Sequence, residues 1–98
     1  MGTAVEIANL KSIKDRFSFV GKKGFVTGAA GGIGRSTAAA LAELGGQVAL
    51  VDINFEKAQE NAEEINKRFG TECFAYRCDV TDQQAINKMI EDLVAKMG

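Results

Sequence analysis

Three times along this chain a short apolar run gives way to apolar residues at helical spacing. That repeated change of period restricts the fold more than any other feature. Strands are predicted at about residues 23–27, 47–52 and 72–78. In the second, Val48, Ala49, Leu50 and Val51 are continuously apolar, the pattern of a strand covered on both faces. The third alternates, with Cys73, Ala75 and Arg77 on one side and Phe74, Tyr76 and Cys78 on the other, as suits an edge strand.

Helical stripes fill the gaps. Gly34, Ala38, Leu41, Ala42 and Gly45 form a face of mostly small residues, and Gly45-Gly46 closes that helix. Asn54 is the expected N-cap of the second helix. Its inner stripe is Ala58, Ala62, Ile65 and Phe69, and Gly70 ends it. Thr81 and Gln84 have capping-box spacing ahead of a third helix with the stripe Ile86, Met89, Ile90, Leu93 and Met97. Strand–helix units in this order imply a parallel sheet with right-handed crossovers. The expected fold class is α/β, three layers around a parallel sheet in the order 3-2-1, the first half of a doubly wound domain of the Rossmann type. The first strand of such a domain is central, and no strand for its far side is present here. The expectation is therefore a piece of a longer chain, with an arm at residues 1–20 and a half-domain at residues 21–98.

Composition narrows the chemistry. With 98 residues and a net charge of −1, the chain lacks the basic excess of a nucleic-acid platform. Its longest apolar run, residues 38–42, is far short of the roughly 20 residues of a membrane span. Residues 1–20 have no apolar signal core, so a cytoplasmic location is expected. Histidine is absent, which excludes Ser-His-Asp and Cys-His catalysis and imidazole metal sites within these residues. Cys73 and Cys78 are expected to be reduced packing residues.

The informative stretch is Thr27-Gly28-Ala29-Ala30-Gly31-Gly32-Ile33-Gly34, between a predicted strand and a predicted helix. Unpaired amides at a helix start, at the positive end of its dipole, suit a phosphate or pyrophosphate. Gly28 lets the chain leave the strand, Gly32 removes a β-carbon where a diphosphate approaches, and Gly34 lets the helix pack closely. A P-loop needs a second glycine five residues after the first, then Lys and Ser or Thr. Ile33 stands there. Strict G-x-G-x-x-G fails at Thr37. What remains is Thr-Gly-x-x-x-Gly-x-Gly. Asp52 ends the second strand 18 residues after Gly34. A dinucleotide fold carries an acidic residue at about this distance to bond the adenosine ribose. Capping of the following segment is the alternative role for Asp52.

Gly21-Lys22, residues 27–34, Asp52 and Cys78-Asp79-Val80-Thr81 together resemble the N-terminal part of a short-chain dehydrogenase/reductase, from about Val20 to Gly98. The resemblance implies that Gly28 and the backbone around Gly31, Gly32 and Ile33 hold a pyrophosphate, with Gly34, Asp52 and Ile53 also among the cofactor-binding residues. It also implies that Asp79 and Val80, at the end of the third strand, flank the adenine. NAD is favoured over NADP. Members using NADP often carry a basic residue at the place of Gly31 or after the second strand, where this chain has Ile53-Asn54. The family's Asn-Ala-Gly segment, catalytic Ser and Tyr-x-x-x-Lys pair are not in these residues. Four residues after Tyr76, the only tyrosine, stands Val80. No catalytic residue and no metal ligand is assigned, and the 98 residues alone are expected to be inactive. The implied activity is hydride exchange with a small alcohol or carbonyl substrate, in a homodimer or homotetramer. Two rivals remain at this point: a nucleotide-sugar epimerase or dehydratase, because Gly28, Gly31 and Gly34 also fit its glycine spacing, and a non-catalytic NAD-binding protein.

Overall fold

The structure, a computed structural model, describes residues 19–98. The expected arm falls outside these residues, apart from Phe19 and Val20. The elements are β1 (Lys23–Thr27), α1 (Gly32–Glu43), β2 (Gln47–Asp52), α2 (Phe55–Phe69), β3 (Phe74–Arg77) and α3 (Gln83–Met97). The sheet runs β1-β2-β3 with every pairing parallel. This is the α/β architecture and strand order that the hydrophobic pattern implies.

The continuous apolar run of β2 makes it the centre of three layers. Val48 and Leu50 join Ala38 and Ala42 of α1 and Ala58, Ala62 and Ile65 of α2 in one core. Ala49 and Val51 point the other way, into a second core with Met89 and Leu93 of α3. Leu50, Val48 and Val51 are among the largest fully buried side chains, and each contributes about 1.5–3 kcal/mol by leaving water. The two cores hold Cys73 and Cys78 respectively, both as free thiols.

Both ends of α2 follow the sequence reading. Asn54 Oδ1 accepts from the Lys57 amide at 3.2 Å. Gly70 terminates the helix at φ 67°, in the left-handed region. The third unit departs from expectation in three places. β3 is shorter than residues 72–78, because Cys73 is bonded to a helix side chain. Its amide donates to Asn66 Oδ1 at 2.7 Å, and its carbonyl accepts from Asn66 Nδ2 at 2.8 Å. The cap of α3 is Asp82, not Thr81. Asp82 Oδ1 accepts from the Gln84 and Ala85 amides, while the Thr81 hydroxyl is turned back to Asp79. Finally, Ile90 is 45% exposed. It belongs to a groove of about 220 Å³ that α3 forms with Lys23, Gly24 and Phe25 of β1, a strand that pairs on one side only among the described residues.

Tyr76 ties β3 to α3. Its phenol donates to Asp92 Oδ2, and the Lys88 ammonium reaches both oxygens of the same carboxylate at 3.1 Å. The bond to Asp92, assisted by desolvation, pushes the phenol from its ordinary value near 10 up to about 12. The neutral phenol is the form that the fold favours. Its contribution to stability is complete below pH 10 and is lost as pH rises through about 12. Ultraviolet titration of the phenolate should give a midpoint near 12 in the native chain and a lower one in Asp92→Asn. Separately, Asp82→Ala should destabilise by about 1 kcal/mol in urea unfolding, the usual worth of an N-cap. Thr81→Ala should cost less.

Candidate functional site

The carboxyl ends of the strands lie side by side. Thr27 is level with Val51, and Asp52 with Arg77. The segments leaving the strands therefore emerge along one edge of the sheet. Gly28, Asp52, Ile53, Asp79 and Val80, all singled out from the sequence, line one open cavity there of about 150 Å³, together with Val51 and Cys78. Gly31, Gly32, Ile33 and Gly34 form the amino end of α1 beside it.

The loop between β1 and α1 is held bond by bond. Gly28 turns the chain at φ 66°, a conformation that glycine adopts without the β-carbon penalty. The Ala29 amide then donates to the Val51 carbonyl at 3.1 Å, and the Gly31 amide to the Gly28 carbonyl at 3.1 Å. Between them, the Ala30 amide donates to Asp52 Oδ2 at 3.0 Å. The other oxygen of Asp52 accepts from the Asn54 amide at 2.9 Å. Asp52 thus braces the segment that follows β2 and also ties it to the glycine-rich loop, while the helix cap itself is Asn54.

Beyond Gly31 the pattern changes. Gly31 is the N-cap of α1 and makes no side-chain capping bond. The first bond of the helix is from the Arg35 amide to the Gly31 carbonyl, at 2.9 Å. The amides of Gly32, Ile33 and Gly34 precede it, at the positive end of the helix dipole. A β-carbon on Gly32 would meet no atom within 4 Å, so this position faces open space. Gly34 is the opposite case. A β-carbon there would lie 2.3 Å from the Gly28 carbonyl oxygen and 2.8 Å from Ala29 Cα. The close approach expected of Gly34 is made first to the loop backbone rather than to the sheet. Ile33, Ile53 and Val80 are exposed apolar side chains at this edge.

On the far side of the cavity, Asp79 Oδ1 accepts from the Thr81 hydroxyl at 2.6 Å and the Thr81 amide at 3.0 Å. Those bonds, the hydroxyl's above all, hold the Asp79 carboxyl below its ordinary value. Burial, aided by Asp79 and Asp82, pushes the Cys78 thiol up. Among the described residues no cluster of His, Cys, Asp and Glu could hold a metal ion, and no helix is long and apolar enough to cross a membrane.

The sequence reading passed over one residue. Asn61 of α2 is buried, and its Nδ2 donates to the Ala29 carbonyl at 2.8 Å. Its place, three residues after Ala58 and four before Ile65, puts a polar group on the apolar stripe. That is the signal that could have found it.

The family model described as short chain dehydrogenase matches residues 22–98. The chain belongs to the short-chain dehydrogenase family. A fellow member, the NADP-dependent mannitol dehydrogenase of Alternaria alternata, is 33% identical over 97 residues, covering 96% of this chain and 36% of the relative. Among solved short-chain dehydrogenase structures, the hydroxysteroid dehydrogenase from Escherichia coli superposes with a TM-score of 0.80 at 34% identity, over 87% of this chain and 36% of that one. An NAD+-bound xylitol dehydrogenase gives 0.76 at 39% identity, over 82% and 30%. The chain thus spans about a third of the length of these short-chain dehydrogenases.

The two inner glycines should respond differently to a methyl group. Gly34→Ala should destabilise by about 1–3 kcal/mol, as overpacking does. Gly32→Ala, into open space, should change stability by no more than about 0.5 kcal/mol. Urea unfolding of both variants measures the contrast.

Proposed function

We propose that this chain is the cofactor-binding part of an oxidoreductase, holding NAD for hydride exchange with a small alcohol or carbonyl substrate. The observation that carries the reading is the uncapped amino end of α1. It faces open space at Gly32, on the same sheet edge as a carboxylate at the end of β2. The amides of Gly32, Ile33 and Gly34 would bind the pyrophosphate, with Gly28 and Gly31 keeping side chains out of its way. Each Asp52 oxygen accepts one backbone amide and keeps a second lone pair, which leaves the carboxylate able to accept from the ribose hydroxyls. Ile53, Asp79 and Val80 would border the adenine. A cavity of about 150 Å³ is below the usual size of a ligand pocket, so only part of the dinucleotide would be enclosed there.

When bound, NAD supplies the hydride acceptor, and this chain's residues bind and orient it. None of the described side chains is assigned to catalysis. The phenol of Tyr76, the one tyrosine, is bonded to Asp92. NAD is preferred to NADP because the Asp52 carboxylate would repel a 2′-phosphate, and Gly31, Ile53 and Asn54 offer no cation to balance it. NADP use by the mannitol dehydrogenase relative defines the contrary outcome.

Titration of NADH and NADPH into the protein carrying these residues tests the assignment. NADH should bind more tightly. Asp52→Ala should weaken NADH by about 10- to 100-fold, the worth of charge-assisted hydrogen bonds, and should narrow the gap to NADPH. Gly32→Val should abolish binding of both while the melting temperature holds. Equal affinity for the two cofactors in the unaltered protein would overturn the NAD preference. Normal binding by Gly32→Val would overturn the site. Residues 1–98 alone, given NADH and a panel of ketones and sugars, should show no loss of NADH absorbance above background.

A further inference from the structure

We propose that Asn61 is a positioning residue. Its carboxamide fixes the plane of the Ala29–Ala30 peptide, and through that plane the direction of the amides of Gly32, Ile33 and Gly34. The inference rests on the cofactor site proposed above and adds to it a residue that touches no part of the ligand.

Asn61 is 3% exposed, the one buried polar side chain among the described residues. It stands in an apolar stripe with Ala58, Ala62 and Ile65, where an aliphatic residue would pack without a polar group to satisfy. What it meets is one end of a single peptide unit. Asn61 Nδ2 donates to the Ala29 carbonyl at 2.8 Å, and the amide of the same peptide, on Ala30, donates to Asp52 Oδ2 at 3.0 Å. Ala29 is fully buried, so water offers its carbonyl no ready substitute.

The segment needs such tethers. Gly28 lies on one side of the peptide, and Gly31 and Gly32 on the other. The plane of this peptide turns about ψ of Ala29 and φ of Ala30, which have more than one allowed region, and the soft dihedrals of the flanking glycines let the neighbouring peptides follow such a turn. Rotating that peptide requires breaking a bond to α2 and a bond to β2 together. With it fixed, the Gly31 amide closes on the Gly28 carbonyl at 3.1 Å, and the next three amides are left to open α1. Helix α2 therefore takes part in the site through its buried face.

The test compares Asn61→Leu, similar in volume but unable to donate, with Gln59→Ala on the same helix as control. Two readouts are taken well below the melting temperature: amide order parameters across residues 28–34 and NADH affinity. Asn61→Leu should lower the order parameters of residues 29–34 while those of β2 and α3 hold, and should weaken NADH about 5- to 20-fold, the effect of one lost hydrogen bond. Gln59→Ala should change neither. Should Asn61→Leu fail to fold, Asn61→Ala should give the same loss of loop order and a loss of affinity of at least about threefold. A folded Asn61 variant with a lower melting temperature but unchanged loop order and affinity would overturn the inference, because that is the signature of a purely structural role. An unaltered protein that binds neither NADH nor NADPH would overturn the proposed function instead. The order parameters need no cofactor, so loss of loop order in the variant would still uphold the role of Asn61 and unchanged order would still overturn it.

Discussion

The missing β-carbon at Gly34 sets the distance between α1 and the end of β1. The Gly28 carbonyl oxygen occupies the place that carbon would need, 2.3 Å from its ideal position. From this contact the helix continues with Ala38 and Ala42 on its buried face, so it stays close to Val48 and Leu50 along its length. A larger residue at position 34 would lift the first turn of α1. The three leading amides would move with it. Packing and the aim of the helix amino end therefore share one cause.

Asp52 completes the arrangement from β2. Its two oxygens accept the amides of Ala30 and Asn54, so the carboxylate is fixed before any ligand arrives. A charge held in place loses less side-chain freedom on binding than one that must be ordered at that moment. The same bonds join the glycine-rich loop to the second strand. A substitution at Asp52 thus acts on the loop as well as on whatever the carboxylate meets.

Most of the architecture could be read before the structure. The continuous run of Val48, Ala49, Leu50 and Val51 announced a central strand, and the alternation after it announced an edge. Asn54 and Gly70 bounded α2 because each carries its own local signal, an accepting side chain and a left-handed φ. The failures lie where two residues compete for one role. Thr81 and Asp82 are both good caps, and a bond from Thr81 to Asp79 decided between them. Residue 73 left the strand because Asn66, seven residues earlier, satisfies its backbone. The residues chosen from the glycine spacing and from the strand ends do gather at one edge. Asn61 escaped because a lone polar residue in an apolar stripe does not say which backbone group, 32 positions away, it will meet.

The two cysteines occupy opposite faces of the sheet. Cys73 lies in the core beneath α1 and α2, and Cys78 in the core beneath α3. Burial pushes both thiols above their ordinary value, so neither is a ready nucleophile while its layer stays closed. Cys73 becomes reactive only when its layer opens, whereas Cys78 also borders the open cavity at the strand ends. A thiol reagent applied to the native chain therefore keeps two independent clocks. One times the parting of α1 and α2 from the sheet, and the other times access to Cys78, whether from the strand-end edge or by the parting of α3.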